Sequence, residues 1–137
     1  MSELMYKRFV DETFRADGTI DRLTVNVPDN FNFSYDVIDV LAKERPDKRA
    51  IQWVNDEGAE KCITFKDLSD NSKRAAAYLA SLGIGKGDAV LLILKRHYQF
   101  WYVILALHRL GAVGVPATNQ LMKKDIVYRI EKAHIKT

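Results

Sequence analysis

Apolar and polar positions change period several times along the chain, and each change marks an element. From Thr64 the spacing is helical: Leu68, Ala75, Ala76, Leu79 and Leu82 recur on one face. A hydroxyl at Thr64 and a carboxylate at Asp67 form an N-terminal capping pattern, and Gly83 supplies a left-handed stop. Ala89-Val-Leu-Leu-Ile-Leu94 then runs apolar without alternation, which predicts a strand buried on both faces of a parallel sheet. His97 to Leu110 is helical and apolar almost all round. Ala112 to Pro116 is a second short strand, and Lys124 to Ala133 is an amphipathic helix with Ile126, Val127 and Ile130 expected to face inward. Strand and helix in alternation predict a right-handed, doubly wound α/β layer, partial and mainly parallel, with flanking helices. His134-Ile-Lys-Thr137 has the pattern of another opening strand, so the chain is expected to be a piece of something longer.

Upstream the pattern is shorter in range. Ser34 is the expected N-cap of a helix from Tyr35, with Val37, Ile38 and Leu41 on one face and Arg45-Pro46 as its stop. Ala50 to Val54 alternates like a strand, and Asn55-Asp-Glu-Gly58 turns it back into Lys61 to Thr64, a hairpin. Cys62 lies in its second strand, as a small apolar residue. Residues 1–34 are the least regular. There Leu4, Met5, Tyr6, Phe9, Val10 and Phe14 fit a short amphipathic helix, and Asp17-Gly18 and Pro28-Asp29-Asn30 mark turns. This stretch is expected to be an arm laid on an incomplete α/β subdomain of residues 35–137.

Composition narrows the class. At 137 residues there is room for one core, and 47% apolar with 28% charged residues excludes a disordered or collagen-like chain. One cysteine excludes a disulfide framework and a Cys-cluster zinc site built by this chain alone. No apolar stretch near Met1 is long enough for a secretory signal, and Glu3, Asp11 and Glu12 argue against a transit peptide. The least charged stretch, His97 to Met122, is interrupted by Arg109, two glycines and Pro116, so no membrane span is expected. The expected location is cytoplasmic. The +3 net charge hides an asymmetry: Lys95 to Thr137 holds eight basic residues and two acidic ones, or +6, which leaves −3 for residues 1–94. The basic third lacks interleaved exposed aromatics, so no nucleic-acid partner is expected.

Candidate chemistry thins out quickly. Gly83-Ile-Gly-Lys-Gly-Asp88 matches neither the dinucleotide nor the P-loop pattern, and it runs from helix to strand, the wrong polarity for a phosphate cradle. His97, His108 and His134 lack metal spacing, no serine or cysteine occupies a nucleophile elbow, and Trp53, Trp101 and the tyrosines are read as packing. One location survives. Ligands of doubly wound sheets bind beyond the carboxyl ends of the strands, here Lys95-Arg96 and the loop Ala117-Thr-Asn-Gln120. Thr118, Asn119 and Gln120 are candidate ligand contacts by position, with simple helix capping as the competing role.

Several segments resemble, in order and spacing, the N-terminal motifs of adenylate-forming acyl-CoA synthetases. They are Ile63-Thr-Phe-Lys-Asp-Leu68, Leu82-Gly-Ile-Gly-Lys-Gly-Asp-Ala-Val90 and Leu110-Gly-Ala-Val-Gly-Val-Pro116. Asn30-Phe-Asn-Phe33, Trp53-Val-Asn55 and the run from Asn119 to Ile130 are similar to the medium-chain branch. The resemblance implies a ligase acting on a carboxylic (fatty) acid, ATP and coenzyme A, with Mg²⁺ accompanying the nucleotide. An acyl-adenylate forms with release of pyrophosphate, and the thiol then displaces AMP. It also implies that Gln120 lies beside coenzyme A, where an amide can donate to and accept from the pantetheine arm. Lys123 and Lys124 could meet coenzyme A phosphates, but are read first as solvated helix charges. The family's phosphate loop, adenine motif, ribose-binding Asp and catalytic Lys are not found in this sequence. The chain alone is therefore expected to be inactive, to bind none of these ligands tightly, and to expose an apolar face through which it could form a homodimer. The alternative is a stand-alone flavodoxin-like module for a nucleotide or a protein partner.

Overall fold

Residues 99–110 are too apolar for a helix with one wet side, and the fold gives them two faces to bury. The structure is a computed structural model that describes residues 4–137; Glu3, used above in the targeting argument, lies outside the described residues. Among the described residues the six strands and four α-helices are β1 (Val10–Phe14), β2 (Ile20–Val25), α1 (Val40–Glu44), β3 (Arg49–Val54), β4 (Glu60–Thr64), α2 (Phe65–Ser81), β5 (Ala89–Leu92), α3 (Gln99–Leu110), β6 (Val113–Pro116) and α4 (Lys123–Lys132). The chain divides into two compact units, one ending at Phe31 and the other spanning Asn32–Thr137.

In the first unit a 3₁₀ turn over Met5–Arg8 leads into the antiparallel hairpin β1–β2. The amphipathic helix expected over Leu4 to Phe14 is therefore corrected. Gly18, at φ 83°, closes the turn, and the Asp17 carboxylate accepts from both the backbone N–H and the hydroxyl of Thr19. That turn feeds β-branched Val10 and Thr13 into a ladder with Ile20–Val25, and cross-strand pairing wins over helical spacing.

The second unit is α/β. β5 and β6 pair in parallel, with Val90 beside Gly114 and Leu92 beside Pro116, and α3 makes the crossover a parallel pair requires. Val90 and Leu92 pack with Ile84, Leu107 and Ala112 in one core cluster. A second cluster joins Ile38, Ile63, Leu68 and Leu105, and Ile104 packs against both. Gly114 permits the close approach of α3 to the sheet, because a Cβ there would lie 2.6 Å from Ile104 Cδ1. The C-terminal residues pair with the other edge of β5: Ile135 bridges Ala89 in parallel, Lys136 N–H donates to the Ala89 carbonyl, and Leu91 N–H donates to that of Thr137. The strand pattern expected at His134 to Thr137 is thus present as a short parallel addition.

Two local expectations are revised and two hold. Ser34 is not an N-cap: its hydroxyl is fully buried and donates to the Leu105 carbonyl, while Asn32 Oδ1 accepts from Ser34 N–H. The helix there opens as a π-turn over Ser34–Asp39 before α1. On α4, Val127 and Ile130 are exposed rather than inward-facing. Thr64 and Asp67 form the expected reciprocal cap of α2, and β3–β4 is the expected hairpin. Cys62 is exposed on β4, on the strand face opposite Ile63, which is fully buried.

One charged group is drawn into this interior. Arg109 at the end of α3 keeps only 3% of its side chain exposed and donates from both terminal nitrogens to Asp39, at 2.8 and 2.6 Å. Its Nε donates to the hydroxyl of Ser72 on α2. Burial alone would raise the Asp39 carboxyl, but hydrogen bonds from Arg109 and Ser69, with the charges of Arg109 and Lys73, hold it below the ordinary aspartate range. Removing the carboxylate leaves a buried guanidinium unpaired, so Asp39→Asn is expected to lower unfolding free energy by about 3 kcal/mol at neutral pH, measured by urea titration. Because the folded-state carboxyl titrates below its unfolded value, the pair's contribution is complete above about pH 4 and is lost as pH falls through the folded value. The gap between the parent and Asp39→Asn should therefore narrow in acid; a gap that stays constant contradicts this assignment.

Candidate functional site

Three polypeptide turns meet at the carboxyl-terminal end of the parallel pair. β5 ends and turns at Leu94–His97, with His97 N–H donating to the Leu94 carbonyl. Lys95 adopts φ 45°, a left-handed conformation that a side-chain-bearing residue occupies only where its surroundings hold it there. β6 ends at Pro116, and Ala117 N–H continues the ladder by donating to the Leu92 carbonyl. The third turn is the tip of the β3–β4 hairpin, where the Asn55 side-chain oxygen accepts from the N–H groups of Glu57 and Ala59.

Trp53 joins the hairpin to the β5 turn. Its indole N–H donates to the Arg96 carbonyl at 2.7 Å, and its ring meets Tyr98 edge-on at 5.3 Å. Lys61 sits over the Tyr98 ring, 4.5 Å from its centroid. The indole therefore has a definite partner, and its packing role includes fixing one turn of the groove.

Between these turns lies an open groove of about 690 Å³, lined by Trp53–Asp56, Lys95–His97 and Ala117–Gln120. The two strand ends singled out in the sequence thus share one cavity. Within the second loop the side chains differ in availability. Thr118 Oγ1 accepts from Gln120 N–H at 3.3 Å, a local turn, whereas among the described residues the side-chain amides of Asn119 and Gln120 have no intramolecular partner. Lys123 and Lys124 are exposed in the first turn of α4 and are not part of the groove wall. Sequence reading missed the hairpin tip as a third wall, since strand periodicity gives a hairpin's register but not where its tip packs.

The discarded candidates are engaged elsewhere. In Gly83–Asp88, Gly85 N–H donates to Asp88 Oδ2, and Lys136 donates to that oxygen and to the Gly83 carbonyl. The hydrogen bonds from Lys136 and Gly85 hold the Asp88 carboxyl below its usual range. These glycines serve the stop of α2 and the turn into β5, at φ 82° for Gly83 and 86° for Gly87. Of the histidines, His97 lines the groove, while burial holds His108 below the usual imidazole range. Among the described residues no three His, Cys, Asp or Glu side chains gather, and no helix is long and apolar enough to cross a membrane.

The chain is similar to known proteins in both sequence and fold. The acyl-coenzyme A synthetase ACSM5, mitochondrial, of Rattus norvegicus is 38% identical over 117 residues, which cover 81% of this chain and 20% of that protein. The human acyl-coenzyme A synthetase ACSM2A, mitochondrial, is 40% identical over 116 residues, covering 80% of this chain and 20% of the relative. This chain thus spans about a fifth of the length of the curated relatives it matches. Among solved structures, the Klebsiella oxytoca NpsA N-terminal subdomain in complex with 3-hydroxyanthranilyl-AMSN superposes with a TM-score of 0.66 at 26% identity, over 74% of this chain and 25% of that one. The fatty acid AMP ligase from Legionella pneumophila gives 0.67 at 25% identity, over 74% of this chain and 18% of that one. These likenesses favour a part of an adenylate-forming enzyme over a stand-alone flavodoxin-like module. The AMP-binding enzyme family matches residues 38–137, which takes in β3 to α4 and every wall of the groove, and the chain belongs to that family.

Proposed function

We propose that this chain forms the coenzyme A side of an ATP-dependent acyl-CoA synthetase. The whole reaction joins a carboxylic acid to coenzyme A in two steps. The carboxylate oxygen attacks the α-phosphorus of ATP and pyrophosphate leaves. The thiol sulfur then attacks the acyl carbon of the adenylate, loses its proton and expels AMP. The observation that carries this reading is the convergence of both strand ends on one groove, with the Asn119 and Gln120 amides unengaged on its lip. A primary amide offers two donors and an acceptor, the complement of the two secondary amides of a pantetheine arm.

The contribution of these residues is binding and orientation. Gln120 and Asn119 contact the arm, and Thr118 chiefly shapes the loop by accepting from Gln120 N–H. The groove does not fit a Mg²⁺ site: Asp56 is its one carboxylate, and no metal-holding cluster occurs among the described residues. No step is therefore assigned to a metal on this chain. The chain by itself performs neither half-reaction and holds coenzyme A weakly, since an open groove orders a flexible ligand without enclosing it.

Two measurements test this. ATP–pyrophosphate exchange by the chain alone should stay at background with any carboxylic acid; exchange above background would mean that adenylation resides here. In an enzyme containing this segment, Gln120→Ala should reduce thioester formation about tenfold, the worth of one or two hydrogen bonds in a partly wet site, with pyrophosphate exchange changed less than twofold. An equal fall in both rates would remove Gln120 from the thiol site.

A further inference from the structure

We infer that Trp53 is a positioning residue for the thioester-forming step. Its indole sets the separation between the β3–β4 hairpin tip and the Leu94–His97 turn, and it acts through that separation, not by contact with the thiol substrate. This rests on the coenzyme A reading above and gives a role to a wall of the groove, with no new ligand contact.

The hairpin is aimed at the groove by its own register. Arg49 pairs with Thr64 and Ile51 with Ile63, so Ala50 is one extra residue in β3, and the pairing runs on as Trp53 with Lys61. Directly opposed residues share a face, so Ile51, Ile63, Trp53 and Lys61 all point the same way. At the base of the hairpin that face is core: Ile63 is fully buried, and Ile51 packs against the same cluster. Two residues nearer the tip it leaves the core and closes on Tyr98, which precedes α3. The Trp53 ring meets Tyr98 edge-on at 5.3 Å, and the Lys61 ammonium lies 4.5 Å from its centroid. Beyond Trp53 the tip is tied to itself by Asn55, with Val54 exposed. The link from this wall to the next is the indole N–H, donating to the Arg96 carbonyl at 2.7 Å.

That bond is better suited to setting a distance than to stabilising the fold. Arg96 is exposed, so water can replace the indole at its carbonyl, and the loss costs little folding free energy. The Leu94–His97 turn is closed by its own His97 N–H; Trp53 fixes where the closed turn sits against the hairpin. The indole also has nothing polar left for a ligand, since its one donor is used and it has no acceptor. The other lining segments are 95–97 and 117–120, so a displaced hairpin weakens substrate and transition state alike. The signature is a raised KM for the thiol with kcat unchanged.

The test compares Trp53→Phe, which keeps a ring against Tyr98 and loses the N–H, with Tyr98→Leu, which keeps the N–H and loses the ring that orients it. Tyr98 does not line the groove. In an enzyme containing this segment, both should raise KM for coenzyme A about fivefold, the worth of one hydrogen bond, with kcat and pyrophosphate exchange within about twofold of the parent. In the ¹⁵N spectrum of the 137-residue chain, Trp53→Phe should shift the amides of 95–98 while thermal unfolding moves by no more than about 4 °C. Amides of 95–98 that stay in place overturn the positioning role. A KM raised by Trp53→Phe but not by Tyr98→Leu makes the indole a direct substrate contact and overturns it as well. If both variants keep the parent KM while Gln120→Ala impairs thioester formation, the role of Trp53 falls and the proposed function stands. Gln120→Ala without effect on thioester formation overturns the proposed function instead.

Discussion

The Asp39–Arg109 pair is the constraint on which the second unit depends. A guanidinium with 3% of its surface exposed is tolerable only if its donors are used, and here Asp39 takes two and Ser72 a third. These bonds tie the end of α3 to the π-turn before α1 and to the middle of α2. Together with the two buried clusters that α3 spans, they fix the rotation of that helix. Leu107 then faces the β5–β6 sheet and Leu105 faces Ile38, Ile63 and Leu68. Hydrophobic burial supplies the drive, and the ion pair anchors the end of the helix in the same orientation.

The groove inherits its geometry from that choice. α3 connects β5 to β6, so its placement sets where the two strand ends emerge, and both emerge at the same edge because the strands are parallel. Gly114 lets the helix approach β6 closely. The third wall arrives by a separate route: Trp53, projected from β3, reaches the Arg96 carbonyl and brings the hairpin tip against the β5 turn. Local turns then satisfy much of the backbone at the rim, through Asn55 and Thr118, and leave the Asn119 and Gln120 amides and the Lys95 and Arg96 charges facing outward.

Much of this was legible in the sequence because the signals were local. The Thr64–Asp67 cap, the Gly83 stop, the unbroken apolar run of β5 and the strand-end loops each depend on residues a few positions apart. What failed depended on partners far along the chain. Ser34 has the composition of a cap, but its hydroxyl is claimed by Leu105, 71 residues away, so Asn32 serves the helix start instead. Phe9, Val10 and Phe14 fit helical spacing, yet the Asp17–Gly18 turn pairs their strand with Ile20–Val25. Trp53 has the composition of a packing residue, and only the fold reveals that its N–H has a partner 43 residues downstream.

Lys95 marks the limit of such reading. Strand-end position singles out Lys95-Arg96, but nothing in Leu94-Lys-Arg-His97 announces the backbone angle that Lys95 adopts. That angle is imposed by neighbours: β5 ends in a ladder fixed on both sides, α3 starts where the Asp39–Arg109 pair and the two cores require, and only a tight turn spans the gap. Glycine would span it at lower cost, as it does at Gly83, Gly87 and Gly111, each also at positive φ. Lysine at a left-handed position on the groove is a local conflict between conformation and side chain. The surrounding fold imposes that conflict, as it does at His134, a second side-chain-bearing residue held at φ 48° where the chain turns from α4 to the far edge of β5.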